Sequence, residues 1–173
     1  MLVYLIGFMG SGKSKYGKRL AEVLDYNFVD TDKLIEDREN LEITEIFKTK
    51  GADYFKSIEG KILTEVSQLK NTIVATGGGL PCVEGNMDFM KQTGLTVYLR
   101  AGLGCVMKNL LKEKDRRPMI ADIDSTILAD YIHDKLEERK PCYKDSHVSI
   151  VTNNMKFSEL QELVSGKIEL FKS

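Results

Sequence analysis

Eight consecutive residues, Gly7-Phe8-Met9-Gly10-Ser11-Gly12-Lys13-Ser14, satisfy GxxxxGK[ST] at every position. Glycines let a backbone turn so that successive N–H groups face one point, and a helix starting there adds the positive end of its dipole. That arrangement holds phosphate. The expected cradle is Gly10, Ser11, Gly12, Lys13, Ser14 and Lys15, with Lys13 reaching the β- and γ-phosphates and the Ser14 hydroxyl joining a Mg²⁺ shell. The motif therefore marks a nucleoside triphosphate site. Guanine-nucleotide switches also carry NKxD and DxxG, and neither is present; Thr49-Lys50-Gly51-Ala52-Asp53 is only a superficial likeness to the first. There is no LSGGQ-type signature either. Two classes remain, a small kinase or a noncatalytic nucleotide-dependent binding module.

An acceptor side is suggested further along. Asp30-Thr31-Asp32 closes a short apolar run, so both carboxylates emerge near the phosphate loop. One can attend the metal and the other a substrate hydroxyl; the competing reading makes Asp32 the N-cap of the next helix. Gly77-Gly78-Gly79 follows another apolar run, as expected where backbone approaches a ligand closely, although a plain turn would look the same. Lys108 to Arg117 is dense in charge and ends at Pro118. It reads either as a solvated helix face or as a lid that brings Arg117 to the transferring phosphate. Arg139 stands at an expected helix end before Pro141, where a basic residue can also be a dipole partner. His133 and His147 have no catalytic neighbours in sequence and read as structural.

These residues need a scaffold, and strands alternating with helices supply it. Leu2–Ile6, Asn27–Val29, Thr72–Ala75, Leu95–Leu99 and His147–Val151 are short apolar runs stopped by Gly or polar residues. Helices are expected between them: one with Leu20, Val23 and Leu24 inward, one over 33–50 capped by Gly51, and one over 52–70. The last would align Phe55, Ile58, Ile62, Val66 and Leu69. The pattern implies an α/β fold, a parallel sheet covered on both faces, with ligands beyond the carboxyl ends of its strands.

Composition sets the outer limits. At 173 residues, 42% hydrophobic and 29% charged, the chain fits one soluble domain spanning 1–173. A net charge of -1 argues against a nucleic-acid coat protein or a polybasic membrane binder. Cys82, Cys105 and Cys142 are too far apart in sequence for a CxxC pair and read as reduced thiols. No apolar stretch approaches the ~20 residues of a membrane span, and no basic leader precedes the apolar N-terminus, so a cytoplasmic protein is expected.

Taken in order, Gly7 to Ser14, Asp30-Thr31-Asp32, Phe55-Lys56-Ser57-Ile58-Glu59, Thr76 to Gly79, Arg117-Pro118-Met119 and Arg139 to Tyr143 resemble shikimate kinase across essentially the whole chain. The resemblance implies a three-layer P-loop kinase fold of the nucleoside-monophosphate-kinase type. That fold has a five-stranded parallel sheet, a mobile lid near 108–122 and a substrate-binding helical region near 32–62. It implies ATP-dependent phosphorylation of the 3-hydroxyl of shikimate, with Mg²⁺, on the route to chorismate and aromatic amino acids, by a monomer. Asp32 would hold the acceptor hydroxyls and act as base, and Asp30 would position Mg²⁺ beside Ser14. Gly78 and Gly79 would line the shikimate pocket, Arg139 would grip its carboxylate and Arg117 would be the lid residue. Two positions depart from the family. Its FRxxE motif carries Lys56 for the arginine, keeping the charge but losing the bidentate fork. The stretch before the lid reads Met107-Lys108-Asn109-Leu110, without the arginine that often stacks on adenine. The nearest rival is another hydroxy-acid kinase of this fold, such as gluconate kinase.

Overall fold

The computed structural model describes residues 1–112, 120, 123–124 and 127–172. Five strands, β1 (Leu2–Ile6), β2 (Asn27–Asp30), β3 (Thr72–Ala75), β4 (Leu95–Arg100) and β5 (Val148–Val151), form one all-parallel sheet in the order β2-β3-β1-β4-β5. The expected α/β architecture and strand count are both present. β1 is central and buried along its whole length, as its unbroken apolar run requires.

Alternation along the pleat divides the core in two. Leu2, Tyr4 and Ile6 face one side, where α2 (Thr31–Glu39), α3 (Ile43–Val66), α4 (Asn86–Thr93), α5 (Leu103–Leu110) and α6 (Leu128–Lys144) cover them. Val3 and Leu5 face the other, against α1 (Lys13–Leu24) and α7 (Phe157–Lys172). The result is three layers.

Several helical expectations need correction. In α1 the inward residues are Gly17, Leu20 and Ala21, whereas Val23 is largely exposed. A β-carbon on Gly17 would lie 2.5 Å from the Phe28 ring, so the helix sits too close to β2 for a side chain there. The region 33–50 is not one helix: α2 ends at Asn40, which takes a left-handed φ of 51°. Gly51 (φ 84°, ψ 172°) does interrupt the helix, but as a kink within α3, whose second limb starts at once. That limb ends at Val66, leaving Leu69 outside it and exposed. Arg139 is not at a helix end, because α6 continues through Pro141 to Lys144. His147 is structural, its Nδ1 accepting from the Thr96 backbone N–H at 3.2 Å and its ring edge-on to Phe171.

Candidate active site

Strand register decides which loops meet. Leu5 pairs with Ala75 and Ala75 with Asp30, so the chain leaves β1, β2 and β3 at one level. Three stretches distant in sequence, Gly7–Ser14, Thr31–Asp32 and Thr76–Gly79, therefore emerge side by side. The Gly77 N–H donates to Thr31 Oγ1 at 2.8 Å, fastening the glycine loop to the end of β2.

The phosphate loop is held in a shape that needs glycine. Gly10 and Gly12 have φ of 75° and 91°, and a β-carbon on either would press on Leu110 or Tyr16. Lys13, almost fully buried, donates through Nζ to the carbonyls of Gly7 and Phe8 at 2.8 and 2.9 Å, folding its ammonium over the loop. Ser11 Oγ is buried and has no hydrogen-bond partner among the described residues. An orphaned donor in that position suits a phosphate oxygen. From α5, Asn109 Nδ2 donates to the Gly10 carbonyl at 2.7 Å and braces the loop from outside. The loop and Lys15 line a cavity of about 610 Å³.

The Ser14 hydroxyl donates to Asp30 Oδ2, while Asp30 Oδ1 accepts from the backbone N–H of Asp32 and Lys33. The helix cap is thus Asp30, and the alternative that made Asp32 the cap is wrong. A capping residue must still be extended, as Asp30 is at φ -112°, ψ 120°, whereas Asp32 already lies in the first turn. The Ser14–Asp30 pair also offers two hard oxygen donors, which fits Mg²⁺. Among the described residues no cluster of three or more His, Cys, Asp or Glu could enclose a metal, so the ion would draw its remaining ligands from phosphate and water.

A second cavity, of about 830 Å³, opens between α3, the glycine loop and α6. Asp32, Lys56, Gly78, Gly79 and Arg139, the residues expected for the acceptor, line it together, and Glu59 joins them. Asp32 and Gly78 line both cavities. The closeness is severe: a β-carbon on Gly77 would stand 2.6 Å from Asp32 Oδ1 and 2.9 Å from Glu59 Oε1. On Gly78 it would be 3.6 Å from one Arg139 nitrogen. The Arg139 guanidinium also lies 5.8 Å from the Phe8 ring centre. Arg117 and its neighbours Arg116, Pro118 and Met119 fall outside the described residues, as does most of the expected lid.

Three residues matter more here than the sequence suggested. Glu59 is only 4% exposed, and its carboxyl is pushed up to about 8 by burial and then by the Asp32 charge, against the opposing pull of Arg139 and Lys56. Its place in the FRxxE-like motif was the available signal. Tyr143 is fully buried and donates to the Gly78 carbonyl at 2.6 Å, pinning the glycine loop to α6; burial raises its phenol well above the usual range. Thr31, between two carboxylates, had no signal beyond its position.

Glu59 has a consequence for stability. A folded-state pKa raised above the unfolded 4.5 contributes stability that is complete below pH 4.5 and is lost as pH rises through about 8. The full span is on the order of 3–5 kcal/mol. Glu59→Gln mimics the protonated form, so the unliganded variant should keep its Tm between pH 5 and 9 while the wild type declines. Parallel Tm-against-pH curves for the two proteins would contradict the assignment.

Comparison with known proteins places the chain in a family. A family model described as shikimate kinase matches residues 9–168. The shikimate kinase of Azobacteroides pseudotrichonymphae is 37% identical over 167 residues, covering 96% of this chain and 98% of that protein. The structure of shikimate kinase from Acinetobacter baumannii in complex with shikimate superposes with a TM-score of 0.89 at 31% identity, covering 99% of this chain and 94% of the other. That from Bacteroides thetaiotaomicron gives the same TM-score at 31% identity and 98% coverage of both. A gluconokinase from Sinorhizobium meliloti reaches a TM-score of 0.55 at 14% identity, covering 99% of this chain and 96% of its own, and shares the fold alone. With its phosphate loop, paired cavities and family match in agreement, the chain belongs to the shikimate kinase family.

Proposed function

We propose that the chain transfers the γ-phosphoryl group of ATP to the 3-hydroxyl of shikimate, releasing ADP and shikimate 3-phosphate. The observation that carries this reading is Asp32, an acidic side chain facing both the phosphate-loop cavity and the acceptor cavity. An acceptor hydroxyl held on Asp32 from one side meets a γ-phosphate held by the loop on the other, which is the in-line placement that phosphoryl transfer needs. Asp32 takes the hydroxyl proton on its carboxylate as the new P–O bond forms. Lys13, released from its two carbonyls, and the backbone N–H groups of Gly10 to Lys15 stabilise the phosphate charge. Arg117 adds its guanidinium from the lid at 108–122. Arg139 and Lys56 take the shikimate carboxylate, and Gly78 and Gly79 leave room for its ring. Mg²⁺, held by Ser14 and Asp30, would neutralise charge on the phosphates. The kinase so proposed acts as a monomeric single domain in the cytoplasm, and its net charge of -1 speaks against nucleic-acid or polybasic membrane partners.

ADP release followed with a coupled assay tests the function. It should require shikimate and be absent with ATP alone or with gluconate. Turnover with gluconate but not shikimate would overturn the substrate, and no turnover with any hydroxy acid would overturn the kinase reading. Lys56→Arg restores the planar fork, so the shikimate KM should stay level or fall by up to ~10-fold with kcat retained. A large loss of kcat would show that Lys56 serves some other purpose.

A further inference from the structure

Tyr143 and Arg139 stand four residues apart on α6, so both project from one face of the helix. That face meets the glycine loop. The Tyr143 hydroxyl donates to the Gly78 carbonyl at 2.6 Å. One turn earlier, the terminal nitrogens of Arg139 lie 3.6 and 3.8 Å from where β-carbons on Gly78 and Gly79 would stand. A guanidinium facing two residues without side chains leaves a slot, and all three residues line the 830 Å³ cavity. Tyr143 is firmly seated, fully buried with its ring centre 5.1 Å from that of Tyr98 on β4. Burial raises its phenol well above the usual range, so the hydroxyl keeps its proton and donates. The neighbouring carbonyls accept from the 3₁₀ turn Leu80–Cys82, Gly77 from the Leu80 N–H at 3.3 Å and Gly79 from the Cys82 N–H at 3.0 Å. That of Gly78 is held from α6.

We propose that Tyr143 is a positioning residue for the substrate carboxylate: by holding the Gly78 carbonyl it fixes the width of the slot between Gly78, Gly79 and the Arg139 guanidinium. The inference rests on reading the 830 Å³ cavity as the shikimate site. Two parallel N–H···O bonds form only when the planar fork and the carboxylate meet at one separation. Without the hydroxyl, the Gly78 carbonyl loses its donor and gains by turning toward water in the cavity. A shift of about 1 Å at a substrate-holding group is enough to cost up to ~100-fold.

On its other side Gly78 packs against the phosphate loop, a β-carbon there lying 3.3 Å from the Met9 nitrogen and 3.6 Å from the Gly7 oxygen. That loop is braced independently by Asn109 on the Gly10 carbonyl, so nucleotide affinity should hold. Gly77 stays fastened to Thr31, and a phenylalanine at 143 would keep the ring packed on Tyr98. Removing the hydroxyl should therefore loosen Gly78 locally and leave the fold in place.

Tyr143→Phe in the full chain tests this. The shikimate KM should rise about 10-fold, with kcat and the ATP KM within about threefold and Tm lower by only a few degrees. Tyr143→4-aminophenylalanine keeps an N–H donor in place and should recover most of the shikimate KM. A double-mutant cycle with Arg139→Ala, read as kcat/KM for shikimate, isolates the route. On that background Tyr143→Phe should change kcat/KM by less than about twofold. An unchanged shikimate KM in Tyr143→Phe would overturn the proposal. So would an undiminished effect on the Arg139→Ala background, which would make the tyrosine a prop for the loop in general. Gly79→Ala keeps the hydroxyl and sets a methyl group 3.8 Å from Arg139 at an unstrained φ of -87°, so it probes the slot even if Tyr143→Phe folds poorly. Its shikimate KM should rise about 10-fold with the ATP KM unchanged, and wild-type values would exclude a carboxylate from the slot. Arg139→Ala alone reports on the site: an unchanged shikimate KM there would remove the cavity assignment, whatever Tyr143 does.

Discussion

Asp32→Ala should abolish phosphoryl transfer, lowering kcat by about 10³-fold or more, while the dissociation constant for ATP changes less than about threefold. The separation of effects follows from where Asp32 stands. It is not the cap of α2, which is Asp30, so the helix start survives its loss. It is not the hydrogen-bond partner of Ser14, again Asp30, so the metal-side pair survives as well. What disappears is a carboxylate bordering both cavities, and with it both the proton acceptor and the alignment of the attacking oxygen. A coupled assay and a nucleotide titration on the same preparation check the two halves. Near-wild-type turnover would sink the role given to Asp32, and a matching loss of ATP binding would make it part of the nucleotide site.

Gly77→Ala should cost about 100-fold in kcat/KM for shikimate with a Tm change of only a few degrees. The backbone at Gly77 is outside the left-handed region, so a side chain introduces no strain in φ. Its methyl group would nonetheless arrive 2.6 Å from Asp32 Oδ1 and 2.9 Å from Glu59 Oε1, separations that no real β-carbon keeps. Both atoms are the ends of side chains, which can swing away without unfolding anything. The burden therefore falls on the aim of Asp32 and on the Glu59 carboxyl, and hardly on the fold. Steady-state kinetics beside thermal melting decides the matter: wild-type kcat/KM in the variant would mean that the glycine is there only to make a turn.

Much of this site was legible because its chemistry is local. The run Gly7 to Ser14 specifies a phosphate loop from eight adjacent positions, and Asp30-Thr31-Asp32 announces itself at the end of an apolar strand. The strands were equally plain, because a strand buried on both faces must be apolar throughout, as Leu2–Ile6 is. Helix detail was less so. Asn40 ends α2 by adopting a left-handed φ, which asparagine tolerates but does not demand. Val23 and Leu69 are apolar yet exposed, since hydrophobic residues are free to lie outside and periodicity alone cannot say which ones do.

By itself, then, the sequence determined a phosphate-binding loop on an alternating α/β chain, two carboxylates at the end of the second strand, and membership in a kinase family through the order of its motifs. Tertiary structure decided which carboxylate caps the helix and which borders both cavities. Capping went to Asp30 because that residue is still extended, which left Asp32 between the two cavities. Tertiary structure also gave Glu59, Thr31 and Tyr143 their significance. Each depends on partners tens of residues away, such as Gly77 on Thr31 and Tyr143 on the Gly78 carbonyl. Contacts of that kind arise from the register of parallel strands and the docking of α6, and pair distances across a fold leave no trace in the local spacing of residue types.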